Sequence, residues 1–282
     1  MNTRRIAFVD YQLDNFHANV FLAALRQELQ PRGYVVSGCH ALDEAEGRAW
    51  STKNQVPYFA DPAELNKNTD YFMVLAPSNP ELHLQLCERV FPFAKPTYVD
   101  KTFAPSLAEA RQIFALADKY RTPIQTTSAL RFTSVQEYVR QVGANSVKHM
   151  VTWGAGRSFG EYAIHPIELA VSCLGAGVES VMRRGDDECA QLLLNFNGGR
   201  SAVVNVYCNA DTPFAAAVTT DKATKYVPVV PEALFIDAMA GVLDFFEKGQ
   251  PTIDRAETLV IRRILDVVET AEVRQRFVKL DS

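Results

Sequence analysis

Residues 71–104 read YFMVLAPSNPELHLQLCERVFPFAKPTYVDKTFA, and this stretch decides the fold. The apolar run at 71–75 has the length of a buried strand. Ala76-Pro77-Ser78-Asn79-Pro80 follows it, and the two prolines fix a rigid turn in which Ser78 and Asn79 can present polar groups. Residues 81–91 then carry apolar side chains at helical spacing, and 97–99 form a second short strand ending in Asp100-Lys101-Thr102. Strand, turn, helix and strand over about thirty residues make a βαβ unit, whose two strands run parallel.

The pattern extends in both directions. Towards the N-terminus, strands are expected at 6–9, 34–39 and 56–59. Helices lie between them, one with Leu22, Leu25 and Leu29 on one face and Asp14 or Asn15 as cap, and one over 42–50. Towards the C-terminus, a helix over 107–120 leads to a strand at 124–127. Such alternation implies a doubly wound parallel sheet with right-handed crossovers. After about Ser128 the pattern changes. One helix, 133–142, precedes strand-like runs at 148–153, 178–183, 191–196, 201–208, 215–219 and 225–229. Asn197-Gly198-Gly199 between two of them signals a hairpin, so a largely antiparallel sheet is expected. Two helices, 231–247 and 254–273, close the chain. The expected organisation is α/β: a doubly wound domain over 1–125, then an α+β domain over 126–282.

The 282 residues carry a net charge of −4, with 48% hydrophobic and 22% charged residues. No basic surplus favours nucleic acid or anionic membrane, so a small molecule is the expected partner. Five cysteines are scattered without CxxC spacing, which fits reduced thiols and no structural metal site. The apolar run after Arg4-Arg5 ends at Asp10, too short for the core of a signal peptide. No run approaches ~18 apolar residues, so no membrane span is expected. The expected location is cytoplasmic.

Ligands of open parallel sheets bind beyond the carboxyl ends of the strands. Lys101 stands at such an end, where a cation could stabilise a developing alkoxide; a solvated surface lysine is the plain alternative. In the second domain, Gly160-Glu161-Tyr162-Ala163-Ile164-His165-Pro166-Ile167-Glu168 spaces Glu161 and His165 four residues apart. On a helix the carboxylate would orient the imidazole as a general base. Pro166 works against that geometry, and a helix-start histidine bonded to backbone is the alternative.

Together these segments resemble the glucose–fructose oxidoreductase, inositol dehydrogenase and MocA (Gfo/Idh/MocA) family over nearly the whole chain. The run from Ala76 to Ala104 is similar to the family's T-P-N-x-x-H, helix, K-P-V-x-x-E-K-P segment: Pro77 and Asn79 stand in the turn, His83 at the histidine and Lys101 at the active-site lysine. Glu161-Tyr-Ala-Ile-His165-Pro-Ile-Glu168 resembles D-x-G-x-H-x-x-D, with His165 at the catalytic histidine. FIDAMAGVLDFFEKG at 235–249 resembles the family's late helix.

The resemblance implies a Rossmann-type domain followed by a substrate domain, NAD or NADP as cofactor, and a sugar or polyol substrate. It implies that His165 removes the hydroxyl proton, Lys101 steadies the oxygen and Glu161 orients the imidazole. Tyr11, Gln12, Ala76, Pro77, Asn79, His83 and Asp100 are the expected cofactor residues. Lys101, Tyr162, His165, Glu168 and Arg131 are the expected substrate residues. A homodimer or homotetramer through the second sheet is expected too.

Three departures stand against this. Where a glycine-rich loop should let backbone approach the pyrophosphate, the chain reads Asp10-Tyr11-Gln12-Leu13-Asp14-Asn15-Phe16-His17. It has no glycine, and its aspartates oppose phosphate. The second strand ends in Cys39-His40 rather than an acid for the ribose, with Asp43 three residues late. The family's E-K-P is Asp100-Lys101-Thr102. Two alternatives therefore stay open: a non-catalytic relative that binds sugar or acts as a regulatory subunit, and a cofactor-independent lyase or isomerase on the same fold.

Overall fold

The computed structural model describes residues 3–280, which form two compact units. The first comprises the described residues through Thr127 together with Phe235–Ile253. The second comprises Ser128–Leu234 and the described residues from Asp254 through Leu280.

The first unit contains β1 (Arg4–Asp10), α1 (Phe16–Arg26), β2 (Tyr34–Ala41), α2 (Glu44–Asn54), α3 (Pro62–Lys67), β3 (Tyr71–Val74), α4 (His83–Val90), β4 (Thr97–Val99), α5 (Leu107–Tyr120) and β5 (Ile124–Thr126). Its sheet is wholly parallel, in the order β2-β1-β3-β4-β5. Ile6, Ala7, Phe8 and Val9 are completely buried, as expected of a central parallel strand covered on both faces. Strand order reverses beside β1, so the ligand crevice of this architecture falls beyond the carboxyl ends of β1 and β3. Asn15, Asp43 and Ser106 cap α1, α2 and α5 through their side chains.

Two expectations are corrected here. The strand at 56–59 is reduced to a single bridge between Cys39 and Tyr58, because Pro57 has no N–H to donate to a ladder. The helix at 231–247, expected in the second domain, is α9 (Leu234–Lys248), and beyond Leu234 it packs in the first unit. Its Met239, Val242, Leu243, Phe245 and Phe246 join Phe8, Trp50 and Met73 in one core. Burying each such side chain contributes roughly 1.5–3 kcal/mol.

The second unit begins with α6 (Ser134–Val142), β6 (Val147–Gly156), α7 (Phe159–Tyr162) and α8 (Ile164–Leu174). It continues with β7 (Val178–Arg184), β8 (Cys189–Phe196), β9 (Ser201–Cys208), β10 (Ala215–Thr220) and β11 (Thr224–Pro228), and ends in α10 (Arg255–Val267) and β12 (Val278–Lys279). Its sheet has the order β11-β10-β6-β9-β8-β7-β12, antiparallel except for the β6–β9 pair. The hairpin at Asn197–Gly199 joins β8 to β9, and Gly198 and Gly199 both take positive φ there. Much of the sheet alternates: Met150, Thr152, Leu192, Leu194, Ala202 and Val204 point inward, and Val151, Trp153, Leu193 and Val203 are half-exposed on the other face, whereas Val181–Arg183 and Val204–Val206 are buried without a break. Among the described residues, no helix is long and apolar enough to cross a membrane.

Candidate active site

At the carboxyl edge of the first unit's sheet, Lys101 stands two residues beyond the end of β4, after Asp100. It is only 6% exposed, and its Nζ donates to the Pro77 carbonyl at 3.0 Å. The turn Ala76–Pro80 thus holds the ammonium, and Ala76 itself takes a positive φ of 52°. Asp100 is completely enclosed and serves as a hub. Its Oδ1 accepts from the Lys101 amide at 2.8 Å and the Tyr98 hydroxyl at 3.1 Å, and its Oδ2 lies 2.5 Å from His17 Nδ1. Burial works against its charge, but His17 and Lys101 outweigh it and hold the carboxyl below its ordinary range. The His17–Asp100 pair spans 83 positions and was not anticipated from sequence.

His83, expected at the cofactor, is fully buried. Its Nδ1 lies 3.0 Å from the Phe103 carbonyl and its Nε2 2.5 Å from the Leu75 carbonyl. Two carbonyls ask for two N–H groups, while burial lowers the ring's pKa against that second proton. Either way the ring ties β3 to the chain after β4. Asn79 turns its amide to Glu81 at 3.0 Å.

The loop after β1 is built around carboxylates. Asp10 Oδ1 accepts from the Tyr11 amide at 2.6 Å and the Gln12 amide at 3.3 Å, and Oδ2 accepts from Asn15 at 2.9 Å. Burial pushes the Asp10 pKa up to about 7, against the lowering effect of the Ala76 amide and Asn15. Glu46, in the first turn of α2, accepts from the Leu13 amide at 2.7 Å and the Asp14 amide at 2.5 Å. The Asn15 amide goes to the Leu13 carbonyl, and the Asn15 side chain takes the Ala18 amide. Leu13 is wholly buried in the core. Asp43, noted above as late for a ribose, caps α2 and accepts from Gln12 Nε2 at 3.3 Å. His40, at the end of β2, is buried with its Nε2 unpartnered and its Nδ1 at the Phe59 carbonyl. The turn as it stands does not fit a dinucleotide pyrophosphate, because the amides that would receive it are bonded to the chain's own carboxylates.

The second unit has its own cluster around an imidazole. His165 lies in the first turn of α8, where Pro166 is tolerated because N–H groups there lack helical partners in any case. Its Nδ1 sits 2.7 Å from Ser128 Oγ, an orienting partner that sequence did not suggest. Tyr162 and Phe214 flank the ring, with centroids at 5.8 and 5.9 Å. Two glycines of β6 make this possible. A Cβ on Gly156 would fall 2.0 Å from Tyr162, and one on Gly154 would fall 2.8 Å from Pro166. Glu168 is buried behind the histidine. It accepts from the Ser128 amide and from Arg131 Nε, both at 2.8 Å, and Arg131 Nη1 reaches Glu257 at 2.5 Å. Burial opposes the charge of Arg131, yet Glu168 and Glu257 raise its pKa above the ordinary value. Glu161 lies in α7, half-exposed. Among the described residues, no group of three or more His, Cys, Asp or Glu side chains is arranged to hold a metal ion.

No protein-family model matches the chain, and no curated protein matches it by sequence. Solved structures do match it. A probable dehydrogenase from Thermotoga maritima superposes with a TM-score of 0.84 at 15% identity, covering 98% of both chains. The myo-inositol dehydrogenase of Lactobacillus casei, solved with NAD(H) and myo-inositol, gives 0.84 at 12% identity, covering 100% of this chain and 98% of that one. The UDP-N-acetylglucosamine 3-dehydrogenase of Acidithiobacillus ferrooxidans gives 0.78 at 13%, covering 95% and 97%. The chain thus has the fold of these dehydrogenases, at 12–15% identity to them.

Proposed function

We propose that this chain is an oxidoreductase acting on a hydroxyl-bearing carbon of a sugar, polyol or related compound, with a nicotinamide dinucleotide, NAD or NADP, as cofactor. The observation that carries the proposal is the treatment of Lys101. A buried ammonium at a strand's carboxyl edge is costly unless it is used or fully paired. Here Pro77 takes one of its three N–H donors at 3.0 Å, and a carboxylate fixes its backbone. In the proposed role Nζ donates to the substrate oxygen and stabilises its developing charge. His165 accepts the hydroxyl proton through Nε2, steadied at Nδ1 by Ser128. Tyr162 borders the substrate, with Glu161 beside it on α7, and Glu168 and Arg131 act from behind by holding Ser128 in place.

A panel of sugars and polyols with NAD or NADP, followed by absorbance of the reduced nicotinamide, tests the proposal. Lys101→Met and His165→Asn should each lower turnover about 100-fold or more with folding intact. Wild-type rates in either variant would remove that residue from the chemistry. One observation favours a second reading. With Glu46 and Asp10 on the loop amides, the chain could serve as a sugar-binding or regulatory relative, or as a cofactor-independent lyase or isomerase. Ligand binding without turnover, or turnover without added cofactor, would identify these.

We also propose a homo-oligomer formed through the half-exposed sheet face that carries Val151, Trp153, Leu193 and Val203. Sedimentation of the wild type and of Trp153→Glu should show an assembly that the substitution dissociates.

A further inference from the structure

The implied cofactor and the loop after β1 disagree, and the disagreement has an identifiable cause. Pyrophosphate binding in this architecture uses the amides between β1 and the first turn of its helix. Here the amides of Tyr11, Gln12, Leu13, Asp14 and Asn15 all have acceptors within the chain. Glu46 supplies two of these contacts with two separate oxygens, Oε2 to Leu13 and Oε1 to Asp14. That bidentate arrangement of an anion on successive amides is the one a phosphate group would make.

The carboxylate does not stand alone. Gln12 bonds to Asp43, Lys53 to Asp14 at 3.0 Å, and Trp50 Nε1 to Asn19 at 2.8 Å, so α2 is tied to the loop and to α1 along its length. Leu13, buried in the core, keeps the loop from being lifted away.

We propose that Glu46 is an internal anion standing in the place of the dinucleotide pyrophosphate, so that a phosphate-bearing ligand reaches these amides only by displacing it. The cofactor part of this inference rests on the oxidoreductase proposal; the anion part does not. Holding Glu46 in place closes the loop without a ligand, and a dinucleotide must compete with a carboxylate already tethered at high local concentration. Removing the carboxylate opens two adjacent amides at the start of α1.

The test uses the full chain as wild type, Glu46→Gln and Glu46→Ala, with thermal melting and calorimetric titration as readouts. The probes are inorganic pyrophosphate, NADH and NADPH. Wild type should show no shift with millimolar pyrophosphate. Glu46→Ala should melt lower without ligand and regain several degrees with pyrophosphate, as expected when a ligand binds only the native state. Glu46→Gln keeps the shape and loses the charge, so it serves if the alanine variant does not fold. Both should bind NADH or NADPH at least about tenfold more tightly than wild type. Pyrophosphate that stabilises wild type as much as the variants, or none of the three, overturns the internal-anion proposal. Measurable and equal dinucleotide binding by wild type and variants also overturns it, and leaves the oxidoreductase proposal standing. Pyrophosphate binding by the variants with no dinucleotide binding to any of the three supports the internal anion and sinks the nicotinamide function instead.

Discussion

Glu168 gives the sharpest test of how the second unit is built, because its removal has a cost that can be worked from the contacts. Its side chain is 4% exposed and that of Arg131 10%, so both charges have left water. Glu168→Ala strips the acceptor from the Ser128 amide and one carboxylate from the guanidinium. Breaking a buried pair by removing one partner costs about 3–5 kcal/mol. Arg131 keeps Glu257, which places the expected loss near the lower end, about 3 kcal/mol. For a chain of this length melting in one transition that corresponds to a fall in Tm of roughly 5 °C. Urea unfolding followed by far-UV circular dichroism measures it, with calorimetry to separate the two units if they melt apart. Glu168→Gln should recover part of the loss, since an amide oxygen can still accept from Ser128. A loss below about 1 kcal/mol in Glu168→Ala would refute the account, because Glu168 would then not be the group that carries the buried guanidinium.

Other expectations follow from the same contacts. Asp10 has its pKa raised from 3.8 to about 7, so the fold favours its protonated form. That contribution is full below about pH 4 and is lost as pH rises through 7, so wild type should lose roughly 2–3 kcal/mol between pH 5 and pH 8. Asp10→Asn should flatten this slope, and an unchanged slope in urea midpoints would refute the assignment. Ser128→Ala should lower kcat about tenfold with KM nearly unchanged, and Ser128→Thr should restore part of it, since the hydroxyl 2.7 Å from His165 Nδ1 orients the ring. Equal effects on kcat and KM would count against an orienting role. Gly156→Ala should push the Tyr162 ring off β6, because the new Cβ would fall 2.0 Å from it. The expected readout is a changed tyrosine environment in near-ultraviolet dichroism with the fold retained.

What sequence made legible follows from which forces act locally. The parallel strands were plain because burial on both faces demands continuous apolar runs, as at Ile6–Val9. The helix α8 was not, because nine of its eleven residues are buried and an all-round apolar helix shows no periodic stripe. Pro166 added a misleading stop signal, though in the first turn a proline does no harm. Strand 56–59 failed for the opposite reason: its composition suits a strand, but Pro57 can only accept, from the Cys39 amide, and cannot donate to extend the ladder. The home of α9 was invisible, since an amphipathic stripe says that a helix packs and not on which unit.

The candidate site divides along the same line. Lys101 and His165 stood out because a turn, a strand end and an i,i+4 spacing are local features. The contacts around them are distant in sequence, His17 from Asp100 by 83 positions and Ser128 from His165 by 37, and so is the contact that closes the loop after β1, Glu46 from Leu13 by 33. The missing glycines showed that the dinucleotide loop was altered without showing by what. In general a backbone N–H buried without an acceptor costs about 1–3 kcal/mol, so a loop that gives up its phosphate must find another anion or rebuild itself. Glycine lets a loop wait for its ligand, whereas Leu13 in the core and Glu46 on the amides complete this one from within. Leu13 and Glu46 therefore act on the same loop from two sides, and placing glycine at Leu13 while Glu46 remains should leave the amides closed to pyrophosphate.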